Sequence, residues 1–137
     1  MVMLDPISPE EADEWGEKLD GLIADIANAS RGTLSPENIW GRIASGQWWL
    51  IAISGLRGVA ILEPIKFDTG INVLEVVGLA GDEMKEWEGA AEELEKVARH
   101  MGFNRLRACG RLGWAKVAER HGWKRTRVIV EKDLYNA

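Results

Sequence analysis

The stretch from Leu74 to Gly102, LEVVGLAGDEMKEWEGAAEELEKVARHMG, holds the residues best placed for binding chemistry. Its β-branched start, glycine-containing middle and helix-spaced end predict a strand, a short turn and a long helix. Free backbone N–H groups at a helix start attract anions, so this arrangement could hold a phosphate. However, Asp82 and Glu83 add negative charge where a phosphate would lie. The pattern leaves two interpretations: a working anion site, or a turn whose own carboxylates complement the helix dipole.

Two further side chains are of reactive types. Glu75 is an acid within an apolar strand, flanked by Leu74 and Val76, and is the best candidate for a general base. The alternative is that Glu75 pairs with an arginine across the sheet. Cys109 is the single cysteine and has no obvious base beside it, so we interpret it as a small buried hydrophobic residue rather than a nucleophile. No residue is assigned to a metal.

The C-terminal third of the chain is strongly basic. Eight basic residues and one acid, Glu119, lie between positions 104 and 127. Five of them are candidates for a basic surface: Arg105, Arg107, Arg111, Arg125 and Arg127. On extended strands, arginines two positions apart share a face and repel one another unless an anion intervenes. Three anions stay open: acids on neighbouring strands (Glu63, Glu75 and Glu131), an acidic protein or nucleic acid, or the phosphates of a cofactor.

Composition and charge bound the class of protein. The 137 residues predict one domain, 1–137, and 46% hydrophobic with 28% charged residues is typical of soluble globular proteins. A net charge of −5 argues against indiscriminate nucleic-acid binding. The start of the chain has no signal-peptide pattern, and the longest uncharged run is broken by polar residues and glycine, so we expect no membrane span. A single cysteine fits a reducing compartment.

Hydrophobic periodicity and turn residues predict the order of elements. Helices are predicted over 8–30 and 35–46, with Ser8 and Ser35 as N-caps before a proline, and Gly16 weakening the first helix without ending it. A hairpin of strands 47–54 and 59–67 follows, then strand 71–80, helix 84–101, strand 104–109, helix 113–122 and a closing strand 123–134. The order α-α-β-β-β-α-β-α-β predicts an α/β (α+β) fold with a mixed, mostly antiparallel sheet and helices on both faces.

This order, together with the C-terminal run RLGWAKVAERHGWKRTRVIVEKDL, resembles the GNAT superfamily of N-acetyltransferases. In that family a short helix ends in a GF-like pair, here Gly122 and Trp123, and a strand with a K.L ending follows, here VIVEKDL. The topological resemblance covers nearly the whole chain, whereas specific residues match from about Arg111 to Leu134. The run is also similar to the tails of small acetyltransferase-like proteins of tailed bacteriophages, in which GRxGW…GW…VxLEK.L endings recur.

The resemblance implies an acyl-CoA site after the third predicted strand. GNAT enzymes wrap the diphosphate of the cofactor with the backbone of a (Q/R)-x-x-G-x-(G/A) turn, which matches VGLAGDEM here. The residues carried over as cofactor-binding are Val77, Gly78, Leu79 and Gly81. The arginine or glutamine of the motif is missing, and Asp82 and Glu83 follow the glycines. Because of this departure, the turn resembles a cofactor site that no longer binds its ligand.

The resemblance also implies roles in acetyl transfer. Glu75 would take the proton of the acceptor amine. The tyrosine that often protonates the thiolate in the family corresponds to Val117, which cannot donate a proton. Glu119 and His121 are alternative donors, and Tyr135, the single tyrosine, lies near the end of the chain.

Two functions follow from these features. The first is a non-catalytic, phage-type protein that acts in virion assembly or as an internal virion component. Its expected partners are other virion or assembly proteins, and its expected location is the host cytoplasm or the virion. The second is an acetyl-CoA-dependent N-acetyltransferase, for which acetyl-CoA is the cofactor. Nucleic-acid binding through the arginines is a third, less favoured interpretation, and no membrane partner is expected.

Overall fold

The computed structural model describes residues 2–81, 84–109 and 112–135, which form a five-stranded sheet with helices on both faces. The five strands lie side by side in chain order, and neighbouring strands are antiparallel except for the last two, which are parallel. In chain order the elements are β1 (Leu4–Ile7), α1 (Gly16–Ala29), α2 (Pro36–Ala44), β2 (Trp49–Ile53), β3 (Gly58–Lys66), β4 (Asn72–Gly81), α3 (Met84–His100), β5 (Arg105–Ala108) and α4 (Leu112–Glu119). The predicted fold class is confirmed.

Two apolar cores hold the layers together, one on each face of the sheet. On the first face, α1 and α2 bury residues such as Leu19, Ile23 and Ile39 against the sheet. On the second face, Ala90, Leu94 and Ala98 of α3 are buried against the sheet, where Leu74 belongs to the same core. Because alternate residues of a strand point to opposite faces, the same strands supply both cores.

Local signals correctly placed several element ends. Ser35 accepts a hydrogen bond from the backbone N–H of Asn38, and the Asn38 side chain accepts one from the backbone N–H of Ser35, which completes a capping box at the start of α2. Gly46 and Gly102 adopt left-handed φ angles of 83° and 87° just after α2 and α3. The predicted hairpin between β2 and β3 is also confirmed.

The N-terminal region departs from the prediction. The first helix begins at Gly16 rather than near Ser8, because Gly16 has a left-handed φ of 75° that separates α1 from a 3₁₀ turn at Ala12–Trp15. Ser8 instead accepts a hydrogen bond from the backbone N–H of Glu11 in a tight turn. Strand β1 was not predicted, since it has four residues and contains Pro6, which is tolerated on a sheet edge.

The predicted closing strand is absent from the structure. Residues 123–134, which we call the C-terminal segment, have no strand partner within the described part of the chain. The segment leaves α4 through a hydrogen bond from the Trp123 N–H to the Ala118 carbonyl, and an Arg125–Glu119 ion pair follows. Its residue pattern is that of a strand, but a strand also needs a neighbouring backbone to bond with, which the pattern does not supply.

In the described ranges, none of the helices is both long enough and apolar enough to span a bilayer.

We predict that Gly78→Ala destabilises the fold by about 1–3 kcal/mol, the usual cost of overpacking a core. A Cβ atom at Gly78 would lie 2.8 Å from Cγ2 of Ile26 in α1. Gly21→Ala is the matched control, because a Cβ atom there has open space and alanine favours a helix by about 0.5–1 kcal/mol. Urea unfolding of both variants checks the prediction, and equal effects of the two substitutions would contradict it.

Candidate functional site

The candidate site begins at an irregularity in β4. Val76 pairs with Leu62 and Gly78 pairs with Ile61, so Val77 is an extra residue with no opposite partner on β3. Such a β-bulge bends a strand and increases its twist. It also reverses the alternation of side chains: Val76 packs on the α3 side, and beyond the bulge Leu79 does so.

The parallel strand β5 accompanies β4 only as far as the bulge. Their pairing covers Val73–Val76 of β4 and Arg105–Ala108 of β5, and it goes no further in the described residues. Among the described residues, Val77–Gly81 therefore has no strand partner on the side of β4 away from β3, and we call the space beside this open edge the cleft. In an antiparallel pair, alternate residues turn their N–H and C=O groups away from the partner strand. Those groups of β4 face the cleft and could bond to an extended ligand that contains amides.

The residues predicted to bind a cofactor lie around this cleft, but their glycines have a packing explanation. A Cβ atom at Gly78 would press on Ile26, and one at Gly81 would lie 2.8 Å from the Arg57 carbonyl oxygen. The two glycines are thus required by α1 and by the turn between β2 and β3. Asp82 and Glu83, on which the prediction of a closed turn rests, lie outside the described residues.

The cleft has features that fit part of an acyl-CoA molecule. The open edge of β4 offers backbone donors and acceptors to the amide-containing pantetheine arm, as a neighbouring strand would. The diphosphate would need the turn that contains positions 82 and 83, for which the structure offers no description. The fit therefore rests on the bulge and on the open edge, and the glycine spacing adds nothing to it.

Glu75, the predicted base, lies two residues before the bulge and is held by an ion pair. Arg107 Nε donates a hydrogen bond of 2.8 Å to Glu75 Oε1, and the two residues are direct neighbours on β4 and β5. The alternative prediction, in which Glu75 pairs with an arginine across the sheet, is thus observed. The same guanidinium lies over the ring of Phe67, with Arg107 Cζ 5.6 Å from the centroid of that ring.

A second carboxylate completes a row of charges across three strands. Glu63 on β3 lies directly opposite Glu75, which lies directly opposite Arg107. Like charges that face each other across a sheet repel, so the arginine offsets the cost of placing the two acids side by side. Gln47 Nε2 also donates to Glu63 Oε2 at 3.3 Å. The side chains of Glu75 and Arg107 are 21% and 26% exposed, which leaves them reachable from solvent.

The residues considered as proton donors on α4 and just after it are engaged in structural contacts. Glu119 accepts a hydrogen bond of 2.6 Å from Arg125 Nε. His121 lies between two acids of α3, with ring nitrogens 3.9 Å from Glu88 Oε1 and 3.7 Å from Glu92 Oε1. These contacts connect α4 to α3 and to the C-terminal segment. Tyr135 is 88% exposed near the chain end.

The predicted basic surface divides into separate environments. Arg107 is paired with Glu75 and Arg125 with Glu119, while Arg105 and Arg127 are exposed. Arg111 lies outside the described residues. Of the acids expected to form an ionic ladder, Glu75 takes part, whereas Glu131 lies 3.7 Å from Arg31 instead. The role of this surface in binding stays a prediction.

Cys109 corrects one expectation, because its side chain is exposed rather than buried. It follows the last residue of β5, at the point where β4 and β5 part. Sequence reasoning also missed the bulge at Val77 and the contacts of His121 with Glu88 and Glu92. The spacing of the two glutamates by four residues was a visible signal for the second, and Gly78 inside a strand pattern was a signal for the first.

No protein-family model matches this chain, and no curated protein sequence does either. Solved structures share its fold at low sequence identity. An acetyltransferase from Trypanosoma brucei is 14% identical, with a TM-score of 0.69 and coverage of 98% of this chain and 100% of the other. A ribosomal-protein-alanine N-acetyltransferase from Brucella melitensis is 12% identical, with a TM-score of 0.68 and full coverage of both chains. A predicted acetyltransferase from Clostridium acetobutylicum, solved with acetyl-CoA, is 12% identical, with a TM-score of 0.63 and coverage of 98% and 97%. The fold is therefore that of GNAT acetyltransferases.

We predict that Glu75 and Arg107 stabilise the fold as a pair. In a double-mutant cycle of Glu75→Gln and Arg107→Gln, the coupling energy should be about 1–2 kcal/mol. Either substitution alone already breaks the partly buried hydrogen bond between the two charged groups, so the double variant does not lose it a second time. The exposed pair Arg99–Glu95 is the control and should give about 0.3–0.5 kcal/mol. Chemical denaturation measures both cycles. Additive effects at Glu75 and Arg107 would exclude the pairing.

Proposed function

We propose that this chain is an acetyl-CoA-dependent N-acetyltransferase that uses the cleft beside Val77–Gly81. The observation that carries the proposal is the bulge at Val77, where β4 parts from β5 and leaves a strand edge open to a ligand. The reaction itself is carried over from the structures of the same fold, which are described as acetyltransferases.

The residues of this chain would divide the work of acyl transfer as follows. The backbone of β4 at the open edge would hold the pantetheine arm. A bound acetyl-CoA supplies an activated thioester. Glu75 would accept the proton that the acceptor amine loses on attack, through Oε2, since the bond from Arg107 is made to Oε1. Arg107 would then fix the carboxylate in one position.

A second candidate function is favoured by the state of the reactive side chains. Glu75 already has an ionic partner, and Val117 stands at the position that corresponds to the proton-donating tyrosine. Both features suit a non-catalytic protein of the GNAT fold. In that case we propose a role in virion assembly or as an internal virion component, with other virion proteins as partners, on the resemblance of the C-terminal run to phage proteins.

We predict that acetyl-CoA stabilises the protein against thermal unfolding. A ligand present at 100 times its dissociation constant adds about 2.7 kcal/mol of stability. ADP is the control ligand, since it has the diphosphate without the pantetheine arm that the β4 edge would bind. A shift with acetyl-CoA and none with ADP supports binding in the cleft. No shift at millimolar acetyl-CoA would remove the enzyme proposal and leave the second candidate.

Catalysis is tested by two substitutions that break the same ion pair. Glu75→Gln removes the carboxylate, whereas Arg107→Gln leaves it in place. If Glu75 is the base, Glu75→Gln should lower kcat by about 10²–10⁴-fold with acetyl-CoA binding retained, the usual contribution of a general base. Arg107→Gln should retain far more activity. Equal losses in the two variants would show that the ion pair, and no proton transfer to Glu75, is what activity requires.

A further prediction concerns the two acids that follow the cleft. If a diphosphate binds near them, Asp82→Asn with Glu83→Gln should tighten acetyl-CoA binding by roughly fivefold or more, because removal of about 1 kcal/mol or more of repulsion changes affinity by that factor. Calorimetric titration of both forms gives the difference. An unchanged dissociation constant would show that the acids do not oppose the ligand.

A further inference from the structure

The C-terminal segment carries apolar side chains that the structure leaves in water. Val128, Ile129 and Val130 are 85%, 65% and 88% exposed, and the backbone around them is not paired within the described residues. Three consecutive β-branched residues favour a strand. An exposed segment of this kind is a surface that pairs with the edge of a sheet.

Strand β5 offers such an edge. It is the last strand of the sheet and bonds to β4 on one side, while no described residue pairs with its other side. Its side chains divide between two environments. Leu106 and Ala108 pack on the α3-side core, and Arg105 and Arg107 lie on the opposite face.

One register joins the two surfaces with matching side chains. If the segment runs antiparallel to β5 with Val130 opposite Leu106, then Val128 lies opposite Ala108 and Glu131 lies opposite Arg105. Apolar residues then extend the α3-side core, and a carboxylate meets the exposed arginine. A parallel arrangement that keeps both valines on the α3 side, with Val128 opposite Leu106, would place Arg127 opposite Arg105, where like charges repel. Complementarity therefore selects the antiparallel register.

Within one copy the described residues of the segment form no strand pairing with this edge. Arg125 is bonded to Glu119 of α4, and Glu131 lies beside Arg31 in the loop after α1. Within the described residues, one molecule thus has both an unpaired strand edge and an unpaired strand-forming segment. We propose that two copies of the chain exchange their C-terminal segments, each adding a sixth strand to β5 of the other. The exchange is reciprocal, so a two-fold dimer leaves neither surface exposed.

Disulfide trapping tests the exchange and its register. Arg105→Cys in one copy and Glu131→Cys in another, each with Cys109→Ser, should form an interchain disulfide when the two are co-expressed with different mass tags. Residues directly opposite in an antiparallel pair have Cα atoms about 4.5–5.5 Å apart, within the range of a disulfide. Both positions are exposed, so the fold should tolerate the substitutions. Val130→Cys in place of Glu131→Cys is the control, because it points to the other face and should give at least tenfold less cross-link.

Mass measurement of the unmodified chain in solution gives an independent reading. The full chain should have twice the 15.2 kDa mass of one copy, whereas a shortened chain that ends at Lys124 should be monomeric. A monomeric full chain would overturn the proposal. So would an Arg105→Cys/Glu131→Cys/Cys109→Ser chain that cross-links only within itself, since the segment would then pair with its own β5. A dimer that persists without the segment would place the interface elsewhere.

Discussion

The extra residue at Val77 is the constraint on which the candidate site depends. Before it, β4 pairs on both sides, with β3 and with β5. After it, β4 keeps β3 and loses β5, so a strand buried in the sheet becomes an open edge within one residue. The close approach of Gly78 to Ile26 holds α1 against this point and leaves little freedom for β4 to move toward that helix. The cleft is thus a consequence of strand register and helix packing together.

The charged row beside the bulge gives Glu75 surroundings that suit two roles. Glu75 needs a charged neighbour because Glu63 faces it across β3 and β4, and the arginine that offsets this repulsion is supplied by β5. The same neighbour would hold the carboxylate of a base in one position and would equally serve a carboxylate that only pairs with it. A structural ion pair and a positioned base share this arrangement. The two roles differ in whether the carboxylate, apart from its partner, is needed for turnover.

Sequence patterns predicted the features that depend on neighbours along the chain. Ser35 with Pro36, Gly46 and Gly102 marked helix ends because capping uses residues within one turn. The departures arise where distant parts of the chain decide. The ion pair of Glu75 was one of two alternatives, since a lone carboxylate in a strand does not name its partner. The bulge at Val77 depends on how β4 pairs with β3, and strand β1 depends on its pairing with β2. The hydrophobic periodicity of a single strand does not encode either pairing.

The C-terminal segment follows the same logic and bears on the cleft. Its residue pattern is that of a strand, but such a pattern does not determine which strand edge the backbone pairs with. Because β5 has four residues and bonds to β4 alone among the described strands, its position is held by few backbone hydrogen bonds. A strand added to its outer edge would extend the sheet and give β5 a second set of backbone hydrogen bonds, so the end of the sheet next to the open edge of β4 would be held from two sides.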